Sequence, residues 1–140
     1  MTKFTVKKLA DNATLPTKDN PTDAGIDIYT NESYTLAPGE RHLFTTGISV
    51  EFAAGYVALL WDRSGLGSKG IHRLAGVIDS EYRGEWKVAL INLSSEPYEI
   101  KAGDKIIQCL LQTFEPVTIT EATELLDTTR GASGFGSSGR

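Results

Sequence analysis

No window of a dozen residues in this chain carries apolar side chains at helical spacing. Short apolar runs are instead cut by turn signals: Pro38-Gly39, Ala53-Ala54-Gly55, Glu96-Pro97 and Ala102-Gly103-Asp104. Over 41–52 one parity holds Phe44, Ile48, Val50 and Phe52, and the other Arg41, Thr45, Ser49 and Glu51. That is the period of a half-buried strand. The runs 56–61, 86–93 and 106–114 are more continuously apolar, which predicts strands buried on both faces. Segment 121–126 is expected to form one turn at most. Many short strands joined by tight turns predict an all-β fold: a sandwich, jelly roll or barrel.

At 140 residues, without an internal repeat, the chain reads as one domain with enough core to fold unaided. A formal net charge of -4 excludes a nucleic-acid surface held by bulk electrostatics. It leaves room for a small anion gripped by a few arginines. The single cysteine, Cys109, excludes an internal disulfide and a Cys-rich zinc site. His42 and His72 are too far apart in sequence for a paired metal motif. The N-terminus has no apolar leader, and the run 56–61 is too short to span a bilayer. A soluble protein of the reducing cytoplasm is expected, with no membrane or nucleic-acid partner.

Five segments carry residues capable of chemistry. RSGLGSKG (63–70) offers Arg63, the Ser64 hydroxyl and the main chain at Gly65. It is either a phosphate-binding loop or a Gly-rich hairpin with a surface Arg, and it is not a P-loop. GVIDSEYRG (76–84) sets Asp79 at a strand end with Tyr82 three residues on. This is either a site acid beside a ligand-packing ring or a polar hairpin turn. In DAGID (23–27), Asp23 and Asp27 could hold waters on a divalent ion, orient the loop arginine, or cap a turn. Gln108 shares parity with Ile106 and Leu110, so its amide sits on an apolar face, as a satisfied core group or a ligand contact. The tail RGASGFGSSGR (130–140) is a frayed linker by composition, or a strap bringing Arg130 and Phe135 over a nucleotide.

Taken in order, DAGID, RSGLGSKG, GVIDSEYRG, GDKIIQ (103–108) and RGASGFGSSG (130–139) resemble the five motifs of the trimeric deoxyuridine triphosphatases (dUTPases). The resemblance spans nearly the whole chain. It implies a distorted jelly-roll domain over 1–129 with a flexible lid over 130–140. It also implies a homotrimer with shared active sites, one subunit's tail closing over a neighbour's site. The implied reaction is Mg²⁺-assisted hydrolysis of dUTP to dUMP and pyrophosphate, which keeps uracil out of DNA and supplies dUMP for thymidylate synthesis. Carried over by position, Asp79 would hold the attacking water and the 3′-OH, and Tyr82 would pack on the sugar. The hairpin main chain at Gly76, Val77, Ile78 and Lys87 would read uracil. Arg63, Ser64, Gly65 and Gln108 would hold the phosphates, and Asp27 would support Arg63 and the waters of the metal. Arg130 would clamp the γ-phosphate, Phe135 would stack on uracil, and Gly136 would belong to the closing strap. No side chain would ligate Mg²⁺ directly, since phosphates and waters can hold it.

Three positions depart from the family pattern. Asp62 stands where many members have Pro and is expected to alter only the local turn. Ser133 replaces a usual Gly and restricts closure if that position needs positive φ; Ser138 replaces a common Thr. Arg73 has no role in the pattern. A dCTP deaminase, a bifunctional deaminase of the same fold, and a nucleotide-binding regulatory protein are the alternatives.

Overall fold

The structure is a computed structural model and describes residues 2–135. Among these the chain forms eleven strands and one helical turn. The strands are β1 Phe4–Lys8, β2 Ile26–Tyr29, β3 Tyr34–Leu36, β4 Arg41–Thr45, β5 Ile48–Phe52 and β6 Tyr56–Trp61, followed by the single turn α1 Ser64–Gly67. After it come β7 Ile71–Leu74, β8 Val77–Asp79, β9 Lys87–Asn92, β10 Tyr98–Ile100 and β11 Lys105–Thr113. All pairings are antiparallel, in the sheets β2-β11-β6-β8, β4-β9-β7, β1-β5 and β3-β10. No sheet closes into a barrel, and the fold is a distorted jelly roll.

The alternation over 41–52 proves to be two strands. The chain turns at Gly47, whose φ is +66°, and a Cβ there would lie 2.8 Å from Asn31 Nδ2 and 2.9 Å from Ala13 Cβ. So β4 pairs with β9 and β5 with β1. Parity survives the break: Phe44, Ile48, Val50 and Phe52 are all buried. Ser49, of the opposite parity, is buried too, because its hydroxyl donates to Arg83 O at 2.7 Å.

The strands expected to be buried on both faces are not. In β9, Val88, Leu90 and Asn92 are buried while Lys87 is exposed, and β6 ends on a half-exposed Trp61. Segment 121–126 forms no helix, and α1 arises inside the Gly-rich segment instead.

The core gathers Ile28, Leu36, Phe44, Ile71, Trp86, Leu90, Ile100, Ile106 and Ile107, each about fully buried. Burying a side chain of this size contributes roughly 1.5–3 kcal/mol. Trp86 anchors the end of the β8–β9 connection by meeting Phe4 edge-on at 5.8 Å and Phe52 at 6.5 Å. Its main chain is tied on both sides, Trp86 N donating to Ile48 O and Thr46 Oγ1 to Trp86 O.

Candidate active site

Strand order brings the candidate residues together in two groups. Gln108 on β11 lies opposite Asp27 on β2 and opposite Trp61 on β6, so the first, second and fourth motifs meet across three neighbouring strands. At the other end of β6, Val57 pairs with Asp79. Four residues of strand, about 13 Å, separate the two positions.

The first group lines a polar cleft of about 350 Å³ formed by Asp19, Asp23, Gly25, Asp27, Arg63 and Gln108. Arg63 Nε donates to Asp27 Oδ1 at 2.9 Å, and the pair is only 29% and 13% exposed. That is the Arg-orienting reading of Asp27. Its other oxygen is 2.8 Å from Lys105 Nζ, which also donates to Asp19 Oδ1 at 2.8 Å. These bonds hold the Lys105 ammonium well above the ordinary lysine range, Asp19's being the larger cause and Asp27's next. The same bond to Lys105 lowers the Asp19 carboxyl. Asp23 is a turn cap, its Oδ2 accepting from Asn20 N at 2.9 Å.

Arg63 is the N-cap of α1, without a side-chain cap bond. Ser64 and Gly65 lie in its first turn, exposed, where main-chain N–H groups have no partner within the helix. Gln108 corrects the parity expectation. A register shift between Lys105 and Ile107 inserts an extra residue, so Ile107 and Cys109 face the core and Gln108 faces the polar cleft. Its Nε2 donates to Asp62 O at 2.8 Å. Cys109 is buried and its thiol is pushed up to about 12 by burial, so it offers no nucleophile at ordinary pH.

The second group lines a largely apolar cleft of about 340 Å³ with Leu43, Leu74, Gly76, Val77, Ile78, Asp79, Tyr82, Trp86 and Lys87 among its walls. β8 is an edge strand paired only with β6, so one side of its main chain is free to donate and accept. Asp79 is exposed at the end of that strand. Tyr82 lies across Gly84, where a Cβ would collide with its ring, and its hydroxyl donates to Glu85 O at 3.0 Å.

The tail residues join neither cleft. Arg130 Nε donates to Ser133 O at 2.9 Å, and Phe135 is fully exposed. Among the described residues only Ala75 and Phe135 are non-glycine positions with positive φ, so Ser133 needs no left-handed conformation in this state. Gly136 and Ser138 lie outside the described residues.

Sequence reasoning missed Lys105, Asp19 and the environment of Asp62. Lys105 carried a signal, being a basic residue inside GDKIIQ three positions before Gln108. Asp62 does more than alter a turn: its carboxylate accepts from Arg73 N at 2.8 Å and from His72 Nδ1 at 2.6 Å.

Comparison with known proteins is consistent across three kinds of evidence. The family model described as dUTPase matches residues 11–139. The chain is 44% identical to a deoxyuridine 5′-triphosphate nucleotidohydrolase of Nautilia profundicola over 99% of both chains. It is 44% identical to one of Nocardia farcinica, covering 96% of this chain and 84% of that protein. Among solved structures it resembles the dUTPase of Staphylococcus bacteriophage 80alpha with dUpNHpp, at a TM-score of 0.91 and 29% identity over 99% of both chains. A mutant dUTPase from phage phi11 of S. aureus, described with a structural Mg(II) ion, is similar at a TM-score of 0.82 and 26% identity, over 89% of this chain and 99% of that one.

Proposed function

Because the chain belongs to the dUTPase family and is a dUTP nucleotidohydrolase, we propose that its two clefts bind opposite ends of dUTP. The observation that carries this reading is their complementary chemistry. One is apolar with a free main-chain edge and a terminal carboxylate; the other is polar and holds Arg63 and Gln108. The main chain along Gly76, Val77 and Ile78, with Lys87 lining the same cleft, reads the uracil amide edge. Tyr82 packs on the deoxyribose and leaves no room for a 2′-hydroxyl. Arg63, the main chain and hydroxyl of Ser64, Gly65 and Gln108 hold the phosphate chain, with Asp27 aligning the guanidinium.

Asp79 hydrogen-bonds the 3′-OH, orients a water in line with the α-phosphorus and takes its proton as the new P–O bond forms. The α–β bridging bond breaks, giving dUMP and pyrophosphate. Before that step Arg130 adds charge at the γ-phosphate and Phe135 covers the base, so that closure of the tail excludes bulk water.

A direct protein cage for Mg²⁺ is not to hand. Among the described residues no three His, Cys, Asp or Glu side chains cluster as ligands, and both oxygens of Asp27 are engaged by Arg63 and Lys105. The residues do fit an ion held by phosphates, with Asp23 and Asp27 lining the cleft to accept from its waters. When bound, it supplies charge neutralisation across the phosphate oxygens.

About 13 Å along β6 separates the two clefts of one chain, and in the proposed assembly each site draws on two subunits. A homotrimer, in which one subunit's hairpin faces a neighbour's Arg63 loop, joins them. Val117, Ile119, Leu125 and Leu126 are 80%, 93%, 89% and 96% exposed on their own chain, as side chains destined for a neighbouring subunit would be. No helix among the described residues is long and apolar enough to cross a membrane, and we place the enzyme in the cytoplasm, where nucleotides are made.

The test is a nucleotide panel assayed for pyrophosphate and for ammonia. Mg²⁺-dependent pyrophosphate release from dUTP is expected, with UTP, dCTP and dTTP poor and no ammonia formed. Asp79→Asn is expected to lose about 10²-fold or more in kcat while still binding dUTP. Equal turnover of UTP overturns the role of Tyr82, and near wild-type turnover in the Asn variant overturns that of Asp79.

A further inference from the structure

Asp62 leaves the end of β6 and immediately precedes Arg63, so its placement sets the direction in which the phosphate loop departs. It is held from two sides. Its carboxylate accepts from Arg73 N (2.8 Å) and His72 Nδ1 (2.6 Å) on β7, and its carbonyl accepts from Gln108 Nε2 (2.8 Å) on β11. β7 is in turn fastened to the end of β6. The Arg73 guanidinium lies 4.6 Å over the Trp61 ring, and its Nη1 donates to Ala75 O at 2.6 Å.

The loop that follows has little rigidity of its own. α1 is four residues long and starts without a side-chain cap bond, so it cannot be stable by helix formation alone. Gly65 and Gly67 add backbone freedom, and a Cβ at Gly65 would meet nothing within 4 Å that could steady the turn. We propose that Asp62 is a positioning residue whose carboxylate, clamped by β7, fixes Arg63 and the first turn of α1 at the distance the phosphate chain requires. Displacing the grip weakens its hydrogen bonds to the phosphates, so the clamp acts on substrate affinity without touching substrate. The inference rests on the reading of residues 63–65 as the phosphate grip.

It is tested in the full chain with Asp62→Ala, Asp62→Asn, His72→Ala and Arg63→Ala, measuring kcat, the KM for dUTP, inhibition by deoxyuridine and the thermal midpoint. Asp62→Ala is expected to raise the dUTP KM by about tenfold, while the inhibition constant of deoxyuridine, which has no phosphate, stays within about twofold. Asp62→Asn offers one oxygen to two donors, and His72→Ala removes one donor. Each is expected to raise KM by about threefold in the same selective way. If Asp62→Ala does not fold, these two variants decide.

A wild-type dUTP KM in the folded Asp62 and His72 variants overturns the proposal. So does a parallel rise for dUTP and deoxyuridine, which marks a general loss of structure. If Arg63→Ala leaves the dUTP KM unchanged, the phosphate reading of the loop fails. If Arg63→Ala raises it and the Asp62 variants do not, only the positioning role fails.

Discussion

Lys105 stands between Asp27 and Asp19, 2.8 Å from each, and bridges the carboxylate that aligns Arg63 to the rim of the polar cleft. The signs of the shifts set the range over which the bridge holds. Asp19 is lowered, so its contribution is present above the ordinary carboxylate value of about 3.9 and is lost as pH falls through the lowered one. Lys105 is raised, so its contribution is present below about 10.4 and is lost as pH rises through the higher value. Between about pH 5 and 9 Asp19 and Lys105 are both fully charged. Lys105→Met is therefore expected to raise the dUTP KM by about three- to tenfold, with the same mutant-to-wild-type ratio at pH 6 and pH 9. Steady-state kinetics at the two values check it, and a ratio that changes with pH rejects a permanently charged bridge.

Elements were legible in proportion to how local their cause is. The alternation over 41–52 named Phe44, Ile48, Val50 and Phe52 as buried because side-chain period is a property of neighbouring residues. The break at Gly47 was not legible, since it depends on Asn31 and Ala13 arriving from elsewhere in the chain. The bulge at the start of β11 was hidden for the same reason, and it moves Gln108 off the apolar face that parity assigned it and into a wall of the polar cleft. DAGID left three readings open, and Asp27 bonds Arg63, while the Asp62 carboxylate was undervalued because its partners, His72 and Arg73, belong to another strand. The tail is the element whose composition and motif reading diverge most. Its described residues make only local bonds, Arg130 Nε to Ser133 O and Gly131 N to Thr128 O among them. Removing residues 130–140 is thus expected to leave thermal stability and subunit assembly unchanged. Turnover of dUTP is expected to fall by about 10²-fold or more, since the closing charge and the base cover go together. Calorimetry, sedimentation and a pyrophosphate assay check the three parts; an unchanged rate would return the segment to the linker that its glycines imply.

At the scale of the whole molecule, the proposed assembly makes the active unit larger than the folding unit. One chain completes its core around Trp86 and Phe44 without help, yet under the proposed assembly no chain completes a site alone. Two separately impaired proteins put this to the test: Asp79→Asn, with an intact polar cleft, and Arg63→Ala, with an intact apolar cleft. Unfolded together, refolded and mixed in equal amounts, they are expected to recover about a quarter of wild-type sites, the fraction at which the two intact halves meet. If each site is built within one subunit, the mixture stays impaired. Under shared sites, the distance between Asp79 and Gln108 on their common sheet has a hereditary meaning. Two null alleles, one damaged in the hairpin and the other in the arginine loop, would cover each other in a shared cytoplasm. Two alleles damaged in the same cleft would not.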